Sequence, residues 1–75
     1  MKTVLITGVG KGIGKAIAQK FLNEGYFVIG TFLTGRPEPV ENLKDFSLDL
    51  SSSASIASCA TAVTNFGHKI DILIN

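Results

Sequence analysis

A glycine-rich turn between an apolar strand and a helix constrains this chain more than any other feature. The turn, Thr7-Gly8-Val9-Gly10-Lys11-Gly12-Ile13-Gly14, follows the largely aliphatic run 1–6 and precedes a segment with helical periodicity. Glycine adopts backbone conformations closed to other residues and lacks the Cβ that would block a ligand. The following helix offers unpaired N–H groups and the positive end of its dipole. The pattern therefore predicts a strand-turn-helix unit that accommodates phosphate.

The spacing of the glycines excludes two common phosphate motifs. A G-x-G-x-x-G fingerprint started at Gly8 requires glycine where Ile13 stands, and the phosphate loop of nucleotide triphosphatases requires glycine at Val9 and Ser or Thr at Ala16. The pattern that fits is T-G-x-x-x-G-x-G. A turn that is rich in glycine for packing alone is the alternative. The residues predicted to contact a pyrophosphate are Gly8, Val9, Gly10, Lys11, Gly12, Ile13 and Gly14.

This pattern, carried by Thr7, Gly8, Gly12 and Gly14, resembles the compact, single-domain branch of the short-chain dehydrogenase/reductase family. The extended branch would need glycine where Lys11 stands. The resemblance spans essentially all 75 residues. It implies a nicotinamide dinucleotide cofactor and hydride transfer to or from a carbonyl or alcohol substrate. The run 28–31 looks like that of members that reduce 3-oxoacyl groups on acyl carrier protein.

The end of the second predicted strand, 26–33, bears on the choice of cofactor. An acidic residue about 20 positions after the glycine turn receives the adenosine ribose hydroxyls of NAD in folds of this type. Here Phe32 and Leu33 occupy that place, and Thr34 and Arg36 follow. A hydroxyl and a guanidinium suit a 2′-phosphate. The resemblance adds Lys11 to this set, so the sequence favours NADP, with NAD possible. Arg36 as a solvated loop charge is the alternative.

Two further predicted strands end in residues that match the family pattern. Asp49 and Leu50 close the predicted strand 46–50, and the resemblance implies that they hold the adenine ring. Asp49 also suits a turn or helix cap before the serine run that follows. Asn75 ends the strand 70–75 and resembles the first residue of an Asn-Asn-Ala-Gly motif beside the adenosine ribose. A polar residue that merely ends a buried strand is the alternative for Asn75.

Strands alternate with helical segments along the chain, which predicts an α/β fold with a parallel sheet. Helices are expected over about 12–24 and from the serine run to Phe66, with a turn or two of helix within 37–44. The expected order β-α-β-α-β-α-β and strand order 3-2-1-4 describe the N-terminal half of a Rossmann-type doubly wound sheet. Residues 1–75 are thus predicted to be one NAD(P)-binding half-domain that stops before the catalytic half. Its fourth strand would present an unpaired apolar edge.

The family's catalytic Ser and Tyr-x-x-x-Lys are absent, so no catalytic residue is predicted and the chain alone is expected to be inactive. Tyr26 is the only tyrosine, and Gly30 stands four residues later, where the motif requires lysine.

A net charge of +1 gives no basic field for nucleic acid or a membrane surface. The single Cys59 excludes an internal disulfide and leaves no metal cluster. The predicted location is cytoplasmic, and the full-length protein is expected to form a homo-oligomer. The rival functions are a non-catalytic NADP(H)-binding module and a purely structural βαβ module.

Overall fold

The computed structural model describes residues 1–75, which form four strands and two helices. In chain order the elements are β1 (Thr3–Ile6), α1 (Gly12–Asn23), β2 (Phe27–Phe32), β3 (Leu43–Ser47), α2 (Ser53–Phe66) and β4 (Ile72–Ile74). The strands form one sheet in the order β3-β2-β1-β4, and every neighbouring pair is parallel. This confirms the predicted fold class and strand order. It also brings the carboxyl ends of all four strands to one edge of the sheet.

The two helices cover opposite faces of the sheet. Successive residues of a strand point to opposite faces. Val28 of β2 belongs to the same buried cluster as Ala18 of α1, whereas Phe27 stacks on Phe66 of α2 with ring centroids 5.8 Å apart. Cys59 of α2, which stands at helical spacing with Ile56 and Val63, is also buried. Burial raises the pKa of its thiol.

The crossover from β2 to β3 differs from the expectation, because residues 33–42 contain no helix. Pro37 and Pro39 lack backbone N–H donors, and a proline also disfavours helical conformation in the residue before it. The crossover ends at Asn42, which has a φ of 68°. β3 consequently begins and ends earlier than the predicted 46–50 and leaves Asp49 and Leu50 beyond the strand.

The start of the packing face of α1 also differs from the expectation. Ile13, Ile17 and Phe21 recur at helical spacing in the sequence, which predicts that all three lie on the face that packs against the sheet. In the structure Ile17 and Phe21 pack against the core, but Ile13 is 80% exposed. Ile13 lies in the first turn, where the helix rises from the glycine turn before it reaches the sheet. The packing face of α1 therefore starts one turn later than the sequence suggested.

Several large apolar side chains of this chain are exposed. The solvent-accessible area is 4856 Å², whereas a compact monomer of this mass is expected to expose about 4,400 Å². β4 forms an edge of the sheet, and Leu73 on it is 63% exposed. The unpaired apolar edge that the sequence predicted is thus present in this chain. Neither helix combines the length and the hydropathy that crossing a bilayer requires.

Replacing Ser52 with alanine is expected to lower the free energy of unfolding by about 1 kcal/mol. Ser52 is the N-cap of α2, and its side chain accepts a hydrogen bond from the Ser55 backbone N–H at 3.1 Å. Urea denaturation followed by circular dichroism measures the loss. Ser58→Ala, at an exposed position inside the same helix, is the matched control. Equal midpoints for the two variants would contradict the capping role.

Candidate dinucleotide-binding site

The turn between β1 and α1 leaves open space beside two of its glycines. Gly8 and Gly12 have φ values of 73° and 63°, a region that side chains rarely adopt. A Cβ added to either residue would meet no protein atom within 4 Å. The backbone of the turn is therefore accessible to a ligand at both positions, and packing within the chain does not explain these glycines.

The other two glycines of the turn serve packing. A Cβ on Gly14 would overlap the carbonyl oxygen of Gly8, so only glycine lets the first turn of α1 lie against the chain that enters it. A Cβ on Gly10 would lie 2.5 Å from the carbonyl oxygen of Thr34 in the β2–β3 loop. The alternative explanation, that the turn is rich in glycine for packing alone, thus applies to two of its four glycines.

Val9, unlike the other residues of the turn that were predicted to contact the cofactor, has a buried side chain. Its side chain is only 1% exposed and occupies the space beside Gly30, where a Cβ would lie 2.5 Å from Val9 Cγ2. Its backbone N–H donates to the Thr31 carbonyl at 2.8 Å. Both groups of Val9 are therefore committed to anchoring the turn on β2. The sequence carried the signal in Gly30, but only the strand register shows which side chain fills that space.

The N-terminus of α1 has no partner within the protein. Lys11 is the N-cap, and its side chain makes no capping hydrogen bond; the first turn contains no acidic residue. The backbone N–H groups of Gly12, Ile13 and Gly14 precede the first intrahelical bond and find no other acceptor. These donors lie beside the open space at Gly12. A dinucleotide pyrophosphate fits this cradle, because it supplies acceptors and negative charge at the positive end of the helix.

A cleft of about 430 Å³ adjoins the turn at the carboxyl ends of the strands. Leu33 and Leu50, which are 64% and 72% exposed, contribute apolar surface to it. Asp49 and Leu50 thus line the same cleft as Gly8. The residues that line this cleft are Thr7, Gly8, Thr31, Phe32, Leu33, Leu48, Asp49, Leu50 and Ser51.

Asp49 also forms the turn that the sequence offered as its alternative role. Its Oδ1 accepts hydrogen bonds from the Ser51 hydroxyl at 2.6 Å and the Ser51 backbone N–H at 2.9 Å. These bonds hold the pKa of the Asp49 carboxyl below its ordinary value, the hydroxyl contributing most. Oδ2 makes no hydrogen bond within the protein, so one carboxylate oxygen is available to a ligand in the cleft while the other fixes the backbone.

Asn75 lies beside the glycine turn. The Thr7 hydroxyl donates to Asn75 Oδ1 at 3.1 Å, and the Thr7 backbone N–H donates to the Ile74 carbonyl at 3.1 Å. A second threonine, the buried Thr31, accepts from the Gly8 N–H through its hydroxyl at 3.4 Å. Sequence analysis did not single out Thr31, because a threonine within a strand has no distinctive spacing.

The residues proposed for a 2′-phosphate lie outside the cleft that contains Asp49. Thr34 is exposed, and its carbonyl faces Gly10. Arg36 forms a two-bond ion pair with Asp45, in which Nε lies 2.9 Å from Oδ2 and Nη2 lies 3.2 Å from Oδ1. Hydrogen bonding to Asp45 and its charge raise the pKa of the Arg36 guanidinium. Arg36 lines a second cleft of about 480 Å³, which also includes Gly10 and Lys15.

Comparison with known proteins agrees with this geometry. The short chain dehydrogenase family profile matches residues 2–75. The 3-oxoacyl-[acyl-carrier-protein] reductase FabG of Buchnera aphidicola subsp. Acyrthosiphon pisum is 39% identical over 82 aligned residues, covering 99% of this chain and 33% of the reductase. The 2-dehydro-3-deoxy-D-gluconate 5-dehydrogenase of Bacillus subtilis is 34% identical, with 99% and 32% covered.

Solved structures give the same result. A structure of 4-hydroxyisoleucine dehydrogenase complexed with NADH superposes with a TM-score of 0.86 at 28% identity, covering 97% of this chain and 32% of that protein. The chain thus spans about a third of the length of the relatives that it matches. The profile match over nearly the whole sequence, together with the parallel sheet and the open glycine turn, shows that this chain belongs to the short-chain dehydrogenase family.

Proposed function

We propose that this chain is the cofactor-binding part of an NADP-preferring oxidoreductase that transfers hydride between nicotinamide and a carbonyl or alcohol substrate. The observation that carries this proposal is the uncapped N-terminus of α1 beside the open space at Gly8 and Gly12. Gly8 also lines the cleft that contains Asp49 and Leu50. One glycine turn thus adjoins both a place for pyrophosphate and a place for adenine.

Each proposed contact uses a group that is available in the structure. The N–H groups of Gly12, Ile13 and Gly14 would donate to the pyrophosphate, Asp49 Oδ2 would accept from the adenine amine, and Asn75 would lie beside the ribose. When bound, the nicotinamide supplies or accepts the hydride. The chain's own residues would bind and orient the dinucleotide. No catalytic residue is assigned, since Tyr26 at the start of β2 lacks the lysine that the family motif places four positions later.

Charge supports NADP over NAD. The residues that follow β2, Leu33 and Thr34, include no carboxylate to receive ribose hydroxyls. Lys11 stands at the N-cap of α1, and Arg36 lies in the adjoining loop. A lysine at the positive end of a helix dipole is electrostatically unfavourable unless an anion binds there. NAD is the alternative cofactor, and the structure of 4-hydroxyisoleucine dehydrogenase contains NADH.

The substrate class is proposed no more narrowly than a carbonyl or its alcohol. The names of the similar reductase and dehydrogenase point to a 3-oxoacyl-[acyl-carrier-protein] and to a 2-dehydro-3-deoxy-D-gluconate. For the full-length protein we propose a cytoplasmic homo-oligomer.

Calorimetric titration with NADPH, NADH and ADP tests the proposal. We expect saturable binding with NADPH tighter than NADH, and a loss of about fivefold to tenfold in NADPH affinity in Lys11→Ala with a smaller loss for NADH. Lys69→Ala, which removes an exposed lysine near the opposite edge of the sheet, is the control for net charge. Equal affinities for the two nicotinamide cofactors would remove the NADP preference. If a folded sample binds none of the three ligands, the proposed function fails and the purely structural βαβ module is the function that remains.

A further inference from the structure

The ion pair between Arg36 and Asp45 joins the β2–β3 loop to the middle of β3. Asp45 is paired in register with Gly30 of β2. Register partners in a parallel sheet point to the same face, so Asp45 lies on the face of the sheet that α1 covers. The side chain of Asp45 is only 13% exposed, whereas that of Arg36 is 70% exposed. The carboxylate is thus fixed by the strand, and the arginine reaches it from the loop.

This pair is one of several attachments of a loop that has no helix. The first attachment is the close backbone approach of Gly10 to Thr34 and Gly35. The second is the Arg36–Asp45 pair, which uses Nε and one Nη2 hydrogen of the guanidinium. The other edge of the guanidinium remains free, in a cleft that Gly10 and Lys15 also line. Arg36 therefore lies next to the glycine turn with its charge already compensated.

We propose that Asp45 is a specificity-determining residue, which positions Arg36 beside the glycine turn and offsets its charge, thereby limiting the preference for a phosphorylated adenosine ribose. The inference rests on the proposed function, because it concerns the 2′-phosphate of the same cofactor. A 2′-phosphate that reaches the free edge of the guanidinium also meets the negative charge of Asp45 a few ångströms behind it. An unphosphorylated ribose carries no charge there and is not affected.

Asp45→Asn separates charge from position. Asparagine retains the shape of the side chain and one oxygen that can accept a hydrogen bond from Arg36, but it removes the negative charge. We expect Asp45→Asn to raise the affinity for NADPH by about threefold to tenfold and to leave NADH unchanged. The same difference is expected between 2′,5′-ADP and 5′-AMP, which lack the nicotinamide. The gain should shrink as salt is added. The ratio of the two affinities is the readout, because a merely structural effect would change both.

The double variant Arg36→Ala/Asp45→Asn shows whether Asp45 acts through Arg36. Its NADPH-to-NADH affinity ratio should equal or fall below that of the natural chain. A gain that persists without Arg36, or an unchanged ratio in folded Asp45→Asn, would overturn the inference. If Asp45→Asn does not fold by circular dichroism, Asp45→Ser removes the same charge.

The cofactor affinities of the unsubstituted chain distinguish failure of the role of Asp45 from failure of the proposed function. If it prefers NADPH and Asp45→Asn does not change that preference, only the role of Asp45 is lost. If it binds both cofactors equally and no substitution at residues 36 or 45 changes the ratio, the NADP preference and the role of Asp45 fail together.

Discussion

Gly14→Ala is expected to destabilise the chain by about 3 kcal/mol, although the same change inside a helix normally stabilises by about 1 kcal/mol. Gly14 lies in the first turn of α1, and an added Cβ would overlap the Gly8 carbonyl oxygen. The position of the Cβ is fixed by the backbone of residue 14 and the oxygen belongs to the backbone of Gly8, so no side chain can rotate to relieve the overlap. Either α1 must move away from the glycine turn or the turn must change its path. Urea denaturation monitored by circular dichroism measures the loss.

Gly12→Ala is the control for this experiment because it lies in the same helical turn. A Cβ at Gly12 meets no protein atom within 4 Å, but its φ is 63°. The positive φ costs about 1 kcal/mol. We therefore expect Gly14→Ala to unfold at clearly lower urea concentration than Gly12→Ala. If the two variants have equal stability, the close contact between α1 and Gly8 is not a constraint on the fold.

The second large expected effect is on dinucleotide binding, and here the larger effect comes from the substitution at Gly12. Gly12→Ala is expected to weaken dinucleotide binding at least about tenfold, since its Cβ would enter the open space beside the free N–H groups of α1. The same space receives the pyrophosphate in the proposed complex. Calorimetric titration of the folded variant with NADPH measures the change.

Gly25→Ala separates backbone strain from obstruction of the ligand. Gly25 follows the C-terminal end of α1 with a φ of 86°, and an added Cβ there also meets no atom within 4 Å. The two alanine variants therefore have similar backbone strain at opposite ends of one helix. Gly25→Ala should retain the natural affinity. Comparable losses in both variants would indicate that strain, and not contact with phosphate, explains the effect of Gly12→Ala.

The fold was readable from the sequence because its strongest signals are local. The strand before Thr7, the helical period after Gly12 and the turn at Gly67 each depend on neighbouring residues, and alternation of such elements fixes a parallel sheet. Gly67 ends α2 with a φ of 84°, directly after Phe66, where the helix was predicted to end. The exposure of Ile13 shows the limit of this approach, since periodicity identifies a face but not where packing on that face begins.

Two of the contacts that sequence analysis missed depend on strand register. Val9 fills the space at Gly30, and Arg36 pairs with Asp45, which is in register with Gly30. Neither pair has a characteristic separation along the chain. The start of β3 was also missed, because Leu43 and Lys44 lie near the prolines and were assigned to the crossover. The sequence located Asp49 and Asn75 more successfully, because both follow predicted strands. Asp49 lines the same cleft as Gly8, and Asn75 accepts a hydrogen bond from Thr7. Their contacts with a cofactor remain predictions.

The anchoring of Val9 in the sheet has a consequence for the thermodynamics of ligand association. Loops that must become ordered lose conformational entropy when a ligand binds, and this loss reduces affinity. Here the turn is held by the buried Val9 side chain, by the Val9 N–H bond to Thr31 and by the close approach of Gly14 to Gly8. Its N–H groups already point in a fixed arrangement. A phosphate that enters the cradle therefore displaces water from donors already in place, and the entropy of ordering this segment was lost when the chain folded.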